Sequence, residues 1–294
     1  MQFKDISIAD KKWMQPLFEK SGYMGADCAF GTNFIWSGSY NIRVLKYKDF
    51  VLKNFGTNGE FYSFPIGTGD LRDAIDTLIA DAKSKNKRFK FNSLTEHMVK
   101  IIDDLMPGKF DFKNNRDIAD YIYSVSDLAN LSGKKYHSKR NHISKFMKKY
   151  SFDYFELSDS NIDEFRKLSD EWFLVNEDLK DDSIKYEKEA LSKTLENYEQ
   201  LGIIGALIKV ENKPIAMSIG ERINSETFLT HFEKALTSYD GSYALINKEF
   251  ASRSLSNYKY VNREEDMGME GLRKAKLSYR PEILLEKYEA VLRD

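Results

Sequence analysis

LGIIGALIKVENKPIAMSIGERINSETFLTHFEKALTSYDGSYALINKEFA, residues Leu201–Ala251, is the stretch whose reading decides the fold. Three runs within it, LGIIGALIKV, KPIAMSIGERI and ETFLTHFEKA, are apolar enough for strands, and the breaks ENK and NS between them leave room only for chain reversals. Antiparallel pairing is therefore predicted. Gly241 then precedes SYALINKEFASRSLSNY, where Ala244, Leu245, Ile246, Phe250 and Leu255 mark a helix with one apolar side, and YKYVNRE reads as the next strand. A central sheet between helices, an α/β (α+β) architecture, follows. This order sets Ala235 to Ser242 at a helix N-terminus, where free amides and the helix dipole suit a phosphate or carboxylate. The loop ALTSYDGS is nevertheless neither a P-loop nor a dinucleotide fingerprint, and it is poor in glycine for a phosphate cradle.

Working toward the N-terminus, NIDEFRKLSDEWFLVNEDL and the segment from Ile184 to Tyr198 read as helices, with a strand at Phe152 to Leu157 before them. The first half opens with a helix at Asp10 to Lys20, and YNIRVLKYKDFVLKNF and GEFYSFPIG follow as a meander of strands. DLRDAIDTLIADAKSK has helical spacing and an acidic first turn; RFKFNSL is a strand, Thr95 to Met106 a helix stopped by Pro107 and Gly108, and DIADYIYSV a further strand. The composition shifts near Asp127. Two domains are expected, 1–128 and 129–294, with the principal site in the second.

The whole chain, 294 residues with 41% hydrophobic and 14% aromatic content, is long and apolar enough to bury a core. Its formal charge of −1 imposes no global bias toward nucleic acid or membrane. The single cysteine, Cys28, excludes an intramolecular disulfide and reads as a small buried residue in GADCAFG. MQFKDISIADKKW lacks the apolar run of a secretory signal, and no window reaches the roughly 18 apolar residues of a membrane-spanning helix. A cytoplasmic protein without an integral membrane segment is the resulting expectation.

Two segments concentrate the chemistry. KKYHSKRNHISKFMKK, Lys134 to Lys149, holds seven basic residues and no acid; as a helix it turns Tyr136, Ile143, Phe146 and Met147 inward and leaves bases around the rim. That is either a solvated face or a surface for a phosphate-rich partner. NREEDMGMEGLRKAKLSYRP, Asn262 to Pro281, packs four acids, five bases, two glycines and a tyrosine into a segment that reads as too irregular for an ordinary helix. Gly268 and Gly271 suggest left-handed backbone or close approach. Arg263, Arg273, Lys274 and Lys276 suit phosphate or carboxylate; the acids suit an ammonium group, or an internal salt-bridge network. His137 and His142 do not form a metal pair, and His231 has no flanking ligand pattern, so no metal is expected.

KKYHSKRNHISKF, THFEKALTSYDGSYALINKEFA and NREEDMGMEGLRKAKLSYRP together resemble a bacterial family, long labelled a domain of unknown function, related to the catalytic domain of phosphatidylglycerol lysyltransferase. The resemblance implies two tandem acyl-CoA N-acyltransferase-like (GNAT-like) domains with mixed sheets flanked by helices. The motif residues fall on His137, Lys139, Arg140, Asn141 and Lys145; on His231 to Ala235, Tyr239, Gly241 and Tyr243; and on Asn262, Arg263, Glu264, Asp266, Gly268, Gly271, Leu272, Lys274, Lys276, Ser278, Tyr279 and Pro281. In the related superfamily, lipid lysyltransferases and peptidoglycan-branching enzymes draw aminoacyl groups from aminoacyl-tRNA. The chain is accordingly expected to be an aminoacyltransferase that takes tRNA as partner and needs no cofactor, with a small-molecule, peptide or lipid-headgroup acceptor.

In that chemistry an amine or hydroxyl attacks the ester carbonyl of the aminoacyl-tRNA, and the protein aligns the groups and stabilises charge on oxygen. Arg263 or Lys274 would meet the phosphate or oxyanion, Glu233 or Asp266 would orient the ammonium or accept a proton, and Tyr279 would donate to the carbonyl or leaving oxygen. His137, Lys139, Arg140, Asn141, Lys145, Tyr239, Gly241, Tyr243, Arg263 and Lys276 are expected to bind the donor. An acyl-CoA-dependent N-acyltransferase using acetyl-CoA and a noncatalytic tRNA- or peptide-binding protein are the alternatives.

Overall fold

The computed structural model describes residues 2–176 and 182–293, without the side chain of Asp182. In chain order its first stretch runs β1 (Lys4–Asp5), α1 (Lys11–Ser21), α2 (Phe30–Ile35), α3 (Ser37–Tyr40), β2 (Arg43–Tyr47), β3 (Phe50–Phe55), β4 (Phe61–Tyr62), β5 (Ile66–Gly67), α4 (Leu71–Ser84), β6 (Lys90–Thr95), α5 (Glu96–Leu105) and β7 (Phe110–Asn114). The second runs β8 (Asp120–Ser124), α6 (Val125–Asn130), α7 (His137–Lys149), β9 (Asp153–Glu156), α8 (Ile162–Val175), α9 (Asp182–Glu196), α10 (Tyr198–Leu201), β10 (Ile204–Val210), β11 (Lys213–Arg222), β12 (Thr227–Ala235), α11 (Ser242–Arg253) and β13 (Tyr260–Asn262). The chain closes with α12 (Glu270–Leu277), β14 (Ile283–Leu285) and β15 (Lys287–Leu292). Glu177, Asp178 and Leu179, which the helical reading of NIDEFRKLSDEWFLVNEDL includes, lie outside the described residues.

Two mixed sheets result, each flanked by helices. One has the order β1-β2-β3-β4-β6-β15-β7, with β5 on β3 and a parallel β4–β6 pair. The other has the order β14-β8-β13-β12-β11-β10-β9, with a parallel β12–β13 pair. Compact units follow the sheets rather than a single cut: Met1–Tyr121, Glu265–Lys274 and Leu284–Asp294 form one, Ile122–Glu264 and Ala275–Ile283 the other.

Local chemistry explains the elements. Asp70 caps α4 by accepting from the Asp73 amide at 3.0 Å, and Ala74, Ile75, Leu78 and Ala82 give that helix its buried stripe. In the second unit β10 and β11 are joined by the tight turn expected of ENK and pair from Ile204↔Gly220 to Val210↔Lys213. The run from Ile215 to Ile219 does not alternate because α11 covers one face of β11 and α8 the other. No helix among the described residues is long and apolar enough to cross a membrane.

Two local expectations need correction. EGLRKAKL forms the regular helix α12, and Gly271 lies within it with no atom near the place of a Cβ; of the two glycines only Gly268 uses left-handed backbone, at φ 75°. The i,i+4 spacing of Glu270 and Lys274 and the helix-forming residues outweigh the single glycine. Tyr136, just ahead of α7, and Phe146 on it are buried as expected and Ile143 is half-buried, but Met147 is 53% exposed because the helix packs through a stripe too narrow to include it.

Candidate functional site

The second sheet holds a polar cluster where its parallel β12–β13 pair ends. β13 pairs with β12 over Thr227↔Tyr260 to Leu229↔Asn262 only, while β12 runs on to Ala235. Side chains alternate along that extension. Glu233 faces α11 and α7, whereas Lys234 faces α8 and α9, where its ammonium sits 3.5 Å from the centre of the Trp172 ring and 2.7 Å from Glu187.

Glu233 is gripped from two sides. Arg263 Nη2 donates to its Oε1 at 2.7 Å and Asn247 Nδ2 to its Oε2 at 3.1 Å. The ion pair is largely desolvated, the side chains being 14% and 11% exposed. Three polar atoms of the same neighbourhood have no hydrogen-bond partner: Arg263 Nη1, Asn247 Oδ1 and Oγ of Ser218, the residue opposite Glu233 on β11. Asn247 must present its amide to the carboxylate, so its outward oxygen is an open acceptor. Unpaired buried groups cost about 1–3 kcal/mol each, and a set of three around one carboxylate suits a site that a polar ligand completes.

Lys139 of α7 lies with its ammonium 3.8 Å from the centre of the Tyr279 ring, and the Arg263 guanidinium covers Tyr279 at 5.0 Å and Tyr123 at 5.5 Å. Burial, reinforced by the Arg263 charge and opposed by Glu233, pulls the Lys139 amine down to about 8. Burial also raises Tyr279, so its hydroxyl stays protonated at neutral pH. Tyr279 is further held through its carbonyl, which accepts from Tyr136 Oη at 3.1 Å.

The turn that carries Arg263 is clamped. Lys276 Nζ donates to the carbonyls of Arg263 and Glu264, and Asn262 Oδ1 accepts from the Glu264 amide at 2.7 Å, fixing Glu264 in left-handed backbone at φ 56°. Lys276 therefore shapes the arginine's backbone. Buried His231 stands between Glu264, 3.1 Å from its Nδ1, and Glu221, 3.0 Å from its Nε2. Burial alone would pull this imidazole down, but its two carboxylate hydrogen bonds prevail and raise it to about 9. Because the folded state keeps a proton that the unfolded state loses near 6.5, the stabilisation is full below 6.5 and fades as pH rises through about 9. It amounts to about 3 kcal/mol. Unfolding by urea at about pH 6 and about pH 10 should register that loss, and His231→Gln should flatten it; a wild-type profile already flat would refute a buried imidazolium.

Other expected site residues fall elsewhere. Asp266 is fully buried in the first unit, where Arg273 Nε and Nη2 donate at 2.8 and 2.7 Å, Arg116 and Tyr121 add bonds, and the Gly268 amide donates at 2.9 Å. Burial would raise this carboxyl, but those donors hold it well below the usual range, leaving it a structural anion and a poor base. Lys274, also of the first unit, is exposed on α12 and diverges from Lys276 as a helix requires. On α7, Asn141 Nδ2 donates to His137 Nε2 at 3.1 Å, Arg140 holds the carbonyls of Leu131 and Gly133, and Lys145 joins Lys148, Lys149 and Asp240 along an open groove. Tyr239 lies against Tyr150 with ring centres 5.1 Å apart and planes tilted by 54°, and the Tyr243 hydroxyl accepts from Trp172 Nε1 at 3.0 Å.

Gly241 opens α11 at φ 94°, and a Cβ there would meet the His142 carbonyl oxygen at 2.5 Å. The loop that would cradle a pyrophosphate is thus packed against α7. Gly241→Ala should cost about 1–3 kcal/mol, read as a lowered urea midpoint; an unchanged midpoint would mean that the loop shifts freely. Sequence reasoning missed Asn247 and Ser218. Ser218 left a faint signal, a lone polar residue between Met217 and Ile219, whereas Asn247 opens the polar run Asn247, Lys248 and Glu249 and carried none.

The fold and site define an α/β protein of two mixed sheets with a desolvated acid–base cluster on the second. The chain belongs to the phosphatidylglycerol lysyltransferase C-terminal family, whose model matches residues 20–291. It is 40% identical to a conserved protein of unknown function from Bacteroides thetaiotaomicron, with a TM-score of 0.95 over 100% of both chains. L-PGS from Bacillus licheniformis is 14% identical with a TM-score of 0.67, covering 97% of this chain and 92% of that one. A tandem GNAT protein from the clavulanic acid biosynthesis pathway is 9% identical with a TM-score of 0.50, covering 99% and 98%. An uncharacterized protein of Mycoplasmoides gallisepticum is 26% identical over 198 residues, which span 64% of this chain and 63% of that relative's length.

Proposed function

We propose that the chain is an aminoacyltransferase, moving an aminoacyl group from aminoacyl-tRNA to an amine or hydroxyl acceptor at the Glu233 cluster. The observation that carries this reading is the pairing of an open donor, Arg263 Nη1, with an open acceptor, Asn247 Oδ1, on either side of one carboxylate. An aminoacyl ester presents complementary groups: an α-ammonium for the Asn247 oxygen and Glu233, and a carbonyl oxygen for the arginine. An acetyl group has no donor and would leave Asn247 unpaired. The family's description, a lysyltransferase, agrees with such a substrate.

In the reaction the acceptor nitrogen or oxygen bonds to the ester carbonyl carbon, and the carbon–oxygen bond to the tRNA 3′ oxygen breaks. Arg263 meets the oxygen that gains charge, and Glu233 takes the acceptor's proton. Lys139, mostly protonated at pH 7 with an amine near 8, supplies a proton to the leaving 3′ oxygen. No covalent enzyme intermediate is required. The groove edged by Lys145, Lys148 and Lys149 gives the donor's phosphates a track.

A second reading, an acyl-CoA-dependent N-acyltransferase built on GNAT-like tandem domains, draws support from the fold likeness to the tandem GNAT protein. The packing of Gly241 against α7 weighs against a pyrophosphate in the loop before α11. Mass-resolved turnover decides between them. Purified protein is supplied with charged tRNAs or with acetyl-CoA against cell-extract acceptors; an aminoacyl mass addition is expected, an acetyl addition would select the CoA reading, and neither product would leave a binding protein. Replacing Lys145, Lys148 and Lys149 by Glu should lower the slope of log affinity for tRNA against log salt by about 0.7–0.9 for each phosphate no longer neutralised. An unchanged slope would remove α7 from the tRNA path.

A further inference from the structure

The first unit contains a cavity that the Glu233 chemistry does not use. It is lined by Tyr23, Asp27, Cys28, Lys53, Ser63, Phe64, Ser93, Thr95 and Lys287, with Ile66 and Met98 among its apolar walls. Four features coincide there. Lys53, 4% exposed, donates at 2.6 Å to the Asp27 carbonyl and at 2.8 Å to Asn33 Oδ1, both uncharged acceptors for a buried ammonium. Ser63, 7% exposed, has a hydroxyl with no hydrogen-bond partner. Ser93 adopts φ 62° at a bulge where β6 loses register with β15 between Tyr288 and Ala290, and its side chain is turned onto the Asp27 carboxyl. Bulges and left-handed non-glycine residues persist where they aim a side chain at a site. Lys287 in turn ties Asp27 at 2.8 Å to Asp120 at 2.7 Å, so both of these carboxylates are already engaged.

From this arrangement we propose that the first unit binds a small carboxylate, its carboxyl group on Lys53 and Ser63 against the apolar walls of Phe64, Ile66 and Met98. An ammonium whose hydrogen bonds go to neutral oxygens gains from an anion in a site of low dielectric, and the free hydroxyl supplies a second donor to the same group. The cavity measures about 20 Å³, which restricts the enclosed portion to a head group and places anything longer at the mouth. Burial pulls the Lys53 amine down, against the attraction of Asp27, and a bound carboxylate would draw it back up. Cys28, with its thiol pushed up to about 12 by burial, is a neutral wall and not a nucleophile.

The test is titration of the full-length protein with formate, acetate and butyrate, followed by calorimetry and by the shift of 13C-labelled carboxyl resonances. Saturable binding is expected for at least one of the three, with Ser63→Ala weakening it several-fold and Lys53→Met by about 10- to 100-fold. Ser63→Ala removes only an unpaired hydroxyl and preserves the fold, so it keeps the test decisive if Lys53→Met does not fold. Absence of saturation at about 20 mM of all three would overturn the proposal and leave a cavity for water alone. Binding untouched by Ser63→Ala would overturn it equally, and binding of acetyl-CoA with none of free acetate would reassign the site to an acyl carrier. Aminoacyl transfer at Glu233 is not part of the readout, so either proposal can fail alone.

Discussion

Arg263→Met should destabilise the protein by about 3–5 kcal/mol in urea unfolding and eliminate aminoacyl transfer. The substitution keeps the apolar stem that covers Tyr123 and Tyr279 but removes the only cation hydrogen-bonded to Glu233 among the described residues, leaving a carboxylate that is 11% exposed with one amide donor. Replacing both partners, in Arg263→Met with Glu233→Leu, should recover much of the stability while transfer stays absent, because the burial cost then disappears on both sides. Arg263→Lys should recover charge but not the two-nitrogen geometry, so that stability returns further than activity. A loss below about 1 kcal/mol for Arg263→Met would show that the pair behaves as a solvated surface ion pair.

For Glu233→Gln the expected result is a fall of about 10²- to 10⁴-fold in the rate of transfer by folded protein, the usual span for removing a general base. Gln is isosteric and still accepts a hydrogen bond from Arg263, so tRNA binding and its salt dependence should persist. Circular dichroism and tRNA affinity are measured on the same sample as single-turnover transfer. Unchanged transfer would exclude Glu233 as the base and, with it, the catalytic use of this cluster; loss of tRNA binding alongside transfer would reveal a structural effect instead. Asp266→Asn offers the contrast. That carboxylate anchors Arg273, Arg116 and Tyr121 in the other unit, so its loss should reach stability first.

Some of this was legible in residue order. The short breaks ENK and NS fix reversals because two or three residues cannot span anything else, and β10, β11 and β12 pair accordingly. The periodicity of DLRDAIDTLIADAKSK and its capping Asp70 specify α4 locally. Glu233, Arg263 and Tyr279 could be singled out by residue type, and the structure brings these three together with Lys139. The partners that give them chemical character were not legible. Asn247 lies on a helix 14 positions from Glu233, Ser218 on the neighbouring strand, and neither carries a spacing that ties it to the carboxylate.

The acids and bases of Asn262 to Pro281 mark the boundary. Their composition is the same whether they pair with one another or with a ligand, so sequence alone leaves both readings open. Tertiary structure divides them, assigning Asp266 and Arg273 to one unit and Arg263 and Lys276 to the other. By itself the sequence determined most strand and helix types, though not α12, together with the tight turns and the pool of ionisable groups, all of which depend on neighbours a few residues away. Only the fold decided which charges are desolvated, which donors stay open beside Glu233 and which lysine is drawn toward neutral pH. Those properties depend on distance and dielectric between segments that the chain order keeps apart.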